Sequence, residues 1–403
     1  MNGKRCLFAV LLAGMLLCAV GCGDKEKKTQ EEAPEGTPMA TGTPSAAPAQ
    51  EEKKVYTLTS NNVRPIGRTK YEDGLWCAFS GTGAEFRFHG SKLIVRINGD
   101  SAAQNPYNEG NYSRVAIYIN GVRVVDDMID EPSKEYTVVE TAEPSDALVR
   151  IVKLSETAMS TFLIKEIETD PEGSVMPSEE KNALIEFVGD SITCGYGVDD
   201  EDRDHHFSTA TEDATKAYAI KTAQLLDVDY SLVSISGYGV ITGYSGDGET
   251  KSESQIIPKY YTKLGFSYAN PKMANTDWDF AGNRQPDVVV VNLGTNDDSW
   301  CKTVPERQEE YIVGYIAFLK TIRENNPDAV IVCALGIMGD NLYPCVEEAA
   351  RRYSEETGDT NIDTFRFTPQ LPEDGYAADW HPTEATHDKA AAKLAEKLQD
   401  ILK

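Results

Sequence analysis

The 403-residue chain has no CxxC pair, no GxSxG elbow, no GxGxxG turn and no shortage of acid. Each absence excludes something. Without CxxC pairs, the five cysteines beyond the N-terminal region (Cys77, Cys194, Cys301, Cys333 and Cys345) point to neither a zinc cage nor a disulfide framework, although a single disulfide remains possible. Cys333, inside the apolar run AVIVCALG, reads as inert core filler. Without GxSxG, a serine nucleophile would not sit on the elbow of the α/β-hydrolase superfamily. Basic residues are the scarce charge: 39 Lys and Arg stand against 65 Asp and Glu, a net charge of -26. Such a surface repels phosphate backbones, so nucleic acid is excluded as a partner and a neutral substrate fits better than a polyanion. After the first residues, no apolar stretch reaches the about 20 residues that a membrane-spanning helix needs.

What is present begins with an address. Lys4 and Arg5 precede an apolar run from Leu7 to Val20, which reads as a secretory signal peptide. Cys18-Ala19-Val20-Gly21-Cys22 resembles a bacterial lipobox, which implies lipidation at Cys22 and a membrane-anchored lipoprotein at the cell surface. Residues 1–22 are therefore expected to be the signal peptide. Residues 23–54 are Glu, Lys, Pro, Thr, Ala and Gly with almost no large apolar side chains, and are expected to form a disordered linker.

Two grammars follow. Over 55–177, short runs such as AEFRFHG, KLIVRING, RVAIYING and ALVRIVKL alternate with period two, and Asn120-Gly121 marks a tight hairpin. This predicts an all-β, jelly-roll-like sandwich. Over 178–403, continuous apolar strands (ALIEFVGD, DYSLVSIS, DVVVVNLG, AVIVCALG and, more weakly, NIDTFRF) alternate with helical patterns. Strands of that kind suit a parallel sheet covered on both faces, so the second half is predicted to be a doubly wound α/β domain with its site at the carboxyl ends of the strands.

Four segments fall at those ends. FVGDSITCGYG puts Ser191 at a strand-to-helix turn. VSISGYG offers Gly237, whose N–H a substrate can approach closely; the run to Gly243 is spaced GxGxxxG, which argues against a dinucleotide loop. VNLGTND offers the Asn296 amide. ADWHPTEATH offers His381, which Pro382 biases towards an extended backbone; in an extended stretch Asp379 would lie beside it. Taken singly, a Gly-Asp-Ser turn serine, an Asx-turn asparagine or a helix-capping histidine explains each. Together they supply a nucleophile, a base, a supporting acid and three donors (the Ser191 N–H, the Gly237 N–H and the Asn296 amide) for an oxyanion.

The order of these blocks resembles the SGNH (GDSL-like) hydrolases, and the short Asp379-Trp380-His381 spacing, the GDSITCGYG wording and the preceding sandwich resemble carbohydrate esterase family 2. The resemblance implies a flavodoxin-like three-layer fold. It also implies acetylxylan esterase-like removal of acetyl groups from polysaccharides such as acetylated xylan or mannan, with no cofactor and no metal. The family does not always retain the supporting acid, and a backbone carbonyl then orients the histidine.

The remaining residues have plainer readings. Trp300, just after GTNDDS, is expected at the mouth of the site as a sugar-stacking contact, whereas the aromatics of the 244–286 insertion are expected to pack and Trp380 to wall the pocket. His205 and His206 read as a solvated loop rather than a metal pair, His387 as a packing residue and His89 as a turn residue. Two competing functions stay open: a non-catalytic glycan-binding surface lipoprotein, and an esterase for another acyl ester.

Overall fold

A computed structural model describes residues 52–105, 108 and 110–403. The expected signal peptide, the Cys22 lipidation site and all but the last residues of the expected linker lie outside the described residues. The first strand, Lys54–Thr57, begins at the linker's final residue and pairs antiparallel with Phe162–Thr169.

The first half is a ten-stranded antiparallel sheet that curls into a sandwich. Its spine is two long strands, Gly83–Gly99 and Ser133–Lys153, paired along most of their length. Alternation carries Phe86, Phe88, Val149 and Ile151 inwards, where they meet Phe162, Ile164 and Ile167 in one apolar core. The register shifts at Gly90, whose φ of 153° marks a bulge that bends the strand. Asn120 and Gly121, both at positive φ, join Ser113–Ile119 to Val122–Ile129 in the hairpin that the sequence predicts.

The second half contains five parallel strands in the order Asp229–Ser234, Leu184–Gly189, Val288–Asn292, Val330–Leu335, Ile362–Arg366. Every residue of Val288–Asn292 is buried. Val289 and Val291 face one core, shared with helix Pro305–Asn325. Val288 and Val290 face the other, shared with helices Tyr218–Leu226 and Glu384–Ile401. A strand sandwiched between two helical layers has no polar face, which is why it reads as an unbroken apolar run. Among the described residues no helix is long and apolar enough to cross a membrane, and all five cysteines are buried and free.

The halves form one compact unit from Glu51 to Lys403. Buried and half-buried arginines tie them. Arg68, at the edge of the sandwich, grips Glu186 of the parallel sheet through Nε (3.1 Å) and Nη2 (2.9 Å), with both side chains buried. Arg114 reaches Asp199 at 2.6 Å, and Arg123 reaches the fully buried Asp213 at 2.7 Å. Removing one member of a buried pair strands the other charge away from water. Arg68→Ala is therefore expected to lower the unfolding free energy by about 3–5 kcal/mol. Urea denaturation measures this, and a loss below about 1 kcal/mol would mean that the pair is not the clamp described.

Candidate active site

The parallel register sets the site. Gly189 lies level with Ser234 on one side and Asn292 on the other, so the segments leaving these strands emerge along one edge of the sheet. Ser191 opens a single helical turn, Ser191–Cys194, whose cap is Asp190: its Oδ1 accepts the Ile192 N–H at 3.0 Å. The turn ends at Gly195 in the left-handed conformation, where a Cβ would press on the Asp213 carbonyl.

His381 meets this serine. Its Nε2 lies 2.9 Å from Ser191 Oγ, and its Nδ1 lies 3.1 Å from the carbonyl oxygen of Ala378. The carbonyl can only accept, so Nδ1 carries the hydrogen and Nε2 is left as the acceptor for the serine proton. Tyr196 stacks flat on the imidazole, with ring centres 3.9 Å apart and planes inclined by 17°. Burial pushes the His381 pKa down to about 4, against the opposing effects of the Ala378 carbonyl and the Asp379 charge. The ring is thus neutral at neutral pH.

The expectation that Asp379 supports His381 side by side is corrected here. Ala378–Trp380 forms a tight turn rather than an extended stretch, with Asp379 at φ 49° and Trp380 at φ 62°. The turn swings the carboxylate away and brings the Ala378 carbonyl under the imidazole. Asp379 instead accepts from the Tyr196 hydroxyl at 2.5 Å and meets His206 Nδ1 at 2.9 Å. Its backbone N–H donates to the His205 carbonyl at 2.9 Å. Partial burial would raise its pKa, but the Tyr196 and His206 contacts hold it below the usual carboxylate range.

The donors come together around Asn296. Its Nδ2 donates to Asp190 Oδ2 (3.2 Å) and to the Tyr238 carbonyl (3.0 Å), joining all three loops. Both amide hydrogens are therefore aimed at protein acceptors, and a substrate oxygen would have to share one. Gly237 has φ 79° with open space where a Cβ would stand. Among the described residues, the Ser191 and Gly237 N–H groups have no acceptor. Beneath them, Asp297 gathers the N–H groups of Val240, Ile241 and Thr242 at 2.8–3.2 Å. Burial raises Asp297 to about 6 and Asp190 to about 7, the latter with added repulsion from Asp297.

Trp300 is a second correction. It is 9% exposed, lies within an apolar core, donates its indole N–H to the Glu249 carbonyl at 3.1 Å and stacks under Arg307. Helix Thr295–Cys301 turns it inwards, into the core rather than onto an open surface. The exposed aromatic beside the histidine is Trp380, at 48%, flanked by Tyr376 and by Arg203 at 4.2 Å. His387 is fully buried and accepts the Tyr218 N–H at 3.2 Å, a packing role as expected. Tyr196, His206 and Asp297 have site contacts that the sequence reading missed; the GYG after GDSITC was the one available signal, for Tyr196.

An imidazole held neutral by burial should resist protonation well below the ordinary histidine value of about 6.5. NMR titration of the ring nitrogens is expected to show His381 protonating only as pH falls towards about 4. A midpoint between about 6 and 7 would contradict the buried geometry.

Both halves of the chain match known protein families. Residues 187–389 match the GDSL-like Lipase/Acylhydrolase family, and residues 65–178 match the Carbohydrate esterase 2 N-terminal family. The cellulase/esterase CelE of Acetivibrio thermocellus is 27% identical over 343 residues, 83% of this chain and 39% of that protein. An acetylxylan esterase / glucomannan deacetylase of Cellvibrio japonicus is 30% identical over 224 residues, 52% of this chain and 59% of its own length. The chain thus spans less than two thirds of either relative. The solved structure of an acetyl xylan esterase (Est2A) from the rumen bacterium Butyrivibrio proteoclasticus superposes with a TM-score of 0.77 at 26% identity, covering 87% of this chain and 98% of that one. With just over half its length matched, the chain belongs to the GDSL-like lipase/acylhydrolase family.

Proposed function

We propose that this protein is a carbohydrate esterase that removes O-acetyl groups from a plant-wall polysaccharide such as acetylated xylan or mannan. The observation that carries the reading is the 2.9 Å contact between His381 Nε2 and Ser191 Oγ, with Nδ1 held on a backbone carbonyl. Ser191 Oγ attacks the ester carbonyl while its proton passes to Nε2. The carbonyl oxygen, now an anion, is held by the Ser191 and Gly237 N–H groups, with the Asn296 amide shared into the same space. His381 then gives the proton to the departing sugar hydroxyl. A water molecule, deprotonated by the same imidazole, attacks the acyl-serine and releases acetate.

The Ala378 carbonyl fixes the tautomer that an aspartate fixes in the usual triad, so this cycle needs no carboxylate. The half-exposed Trp380 beside His381 supports a sugar-ring platform there. The names of the relatives, an acetylxylan esterase / glucomannan deacetylase and an acetyl xylan esterase, support the substrate class. The charged start, the apolar Leu7–Val20 run and Cys22 support a surface lipoprotein anchored through a lipidated cysteine.

Acetate release from acetylated xylan and acetylated glucomannan tests the reading. Ser191→Ala is expected to lose at least about 10⁴-fold in kcat while keeping its circular dichroism and melting profile. Binding of the polysaccharide by wild-type protein with no acetate released would favour the non-catalytic glycan-binding reading instead. Asp379→Asn is expected to keep kcat within about tenfold of wild type. A fall of about 10⁴-fold, the cost of losing a true triad aspartate, would restore Asp379 as the supporting acid.

A further inference from the structure

Beneath the site lies a charged cluster that the acyl-transfer chemistry does not use. Where the long strand Ser133–Lys153 leaves the sandwich, the chain runs through Ser155, Glu156 and Thr157, all buried, before the strand Phe162–Thr169 begins. Glu156 Oε2 accepts the main-chain N–H of Ser236 at 2.8 Å. Ser236 is the residue immediately before Gly237.

The glutamate is held from several sides. Its own N–H donates to Glu212 Oε2 at 2.9 Å, and the neighbouring Leu154 carbonyl accepts the Ala214 N–H at 3.0 Å. The buried Lys153 ammonium donates to the carbonyls of Ser155 (2.8 Å) and Glu156 (2.7 Å). Those bonds shape the turn and leave the Glu156 carboxylate facing the Ser236 peptide. Burial pushes both Glu156 and Glu212 above the usual carboxylate range, their mutual repulsion adds to the rise at Glu212, and the buried Lys153 ammonium opposes it at both.

The Gly237 peptide needs such a hold. Nothing lies within 4 Å of where its Cβ would be, so no side chain braces it from the open side. Its carbonyl accepts the Tyr244 N–H at 2.9 Å, and the peptide before it is gripped by Glu156. A donor aimed at a developing anion is worth most when its direction is fixed before the reaction.

We propose that Glu156, contributed by the sandwich half, is a positioning residue: by fixing the Ser236 N–H it aims the Gly237 N–H at the oxyanion formed on Ser191. The sandwich then helps to position the catalytic apparatus. The proposal rests on the acyl-transfer reading given above.

Its test compares Glu156→Gln, which keeps a carbonyl oxygen for the Ser236 N–H, with Glu156→Leu, which removes the acceptor at similar size, using an aryl acetate and the full chain. The Leu variant is expected to lose roughly 10- to 100-fold in kcat with KM nearly unchanged. Its affinity for a trifluoromethyl ketone, which adds to the serine as a tetrahedral anion, is expected to fall by the same factor. The Gln variant is expected to recover most of both. Equal losses in the two variants, or a Leu variant with normal kcat and ketone affinity, would overturn the proposal. Should the Leu variant not fold, hydrogen exchange in the wild type decides: the Ser236 amide is expected to be strongly protected, and rapid exchange would refute the clamp. Wild-type protein that cleaves no aryl acetate would instead overturn the acyl-transfer reading, and this inference with it, whereas turnover abolished by Ser191→Ala leaves the positioning role to be judged on the Glu156 variants alone.

Discussion

The carbonyl oxygen of Ala378 sets the orientation on which the rest of the site depends. By holding Nδ1 of His381 at 3.1 Å it fixes which nitrogen carries the hydrogen, and so leaves Nε2 as the acceptor facing the Ser191 hydroxyl at 2.9 Å. That carbonyl points at the imidazole only because the next two residues turn left-handed. Positive φ at Asp379 and Trp380 costs of order 1–3 kcal/mol each. Neighbouring bonds offset this strain: the His381 carbonyl accepts the Ala377 N–H at 2.8 Å, Gln370 Nε2 donates to the Trp380 carbonyl at 2.9 Å, and the Asp379 carboxylate is held by Tyr196 and His206. Through Tyr196 and His206, the Asp379 carboxylate ties down the turn that supplies the carbonyl.

The fold makes this arrangement rigid from below. The Val288–Asn292 strand is buried on both faces and registers with the strand that ends at Gly189, so Asn296 and Ser191 leave the sheet together. Asp297 collects three successive N–H groups of the Val240–Thr242 loop, and Asn296 links Asp190 to the Tyr238 carbonyl. The sandwich half supports the same region through Glu156 and holds the sheet through Arg68 and Glu186. A catalytic half alone would leave several buried charges without partners.

The sequence discloses the layers because they follow from local periodicity. Valine-rich runs, period-two strands and the Asn120-Gly121 turn each act over a few residues, and the structure has all three. Ser191, Gly237 and Asn296 were also legible, because strand ends deliver them to one edge, and His381 reaches Ser191 from the turn before the last helix. Asp379 was misread because residues two apart share a side only in extended backbone, and nothing in ADWHP announces the left-handed turn. Trp300 was misread for a related reason: proximity in sequence to GTND does not say which way a helix faces. The partners that sequence reading missed act across long separations, 183 residues for Tyr196 to Asp379 and 80 for Glu156 to Ser236, where no periodicity reaches.

The central claim is that a neutral imidazole, oriented by a backbone carbonyl, activates Ser191. Covalent labelling with a fluorophosphonate, followed by peptide mapping, tests it most directly, because such reagents react far faster with a serine hydroxyl activated by a neighbouring base. The account predicts a single modification at Ser191 in the wild type and none in His381→Ala at matched exposure. Modification at a different residue, or equal labelling of Ser191 with and without the imidazole, would contradict it.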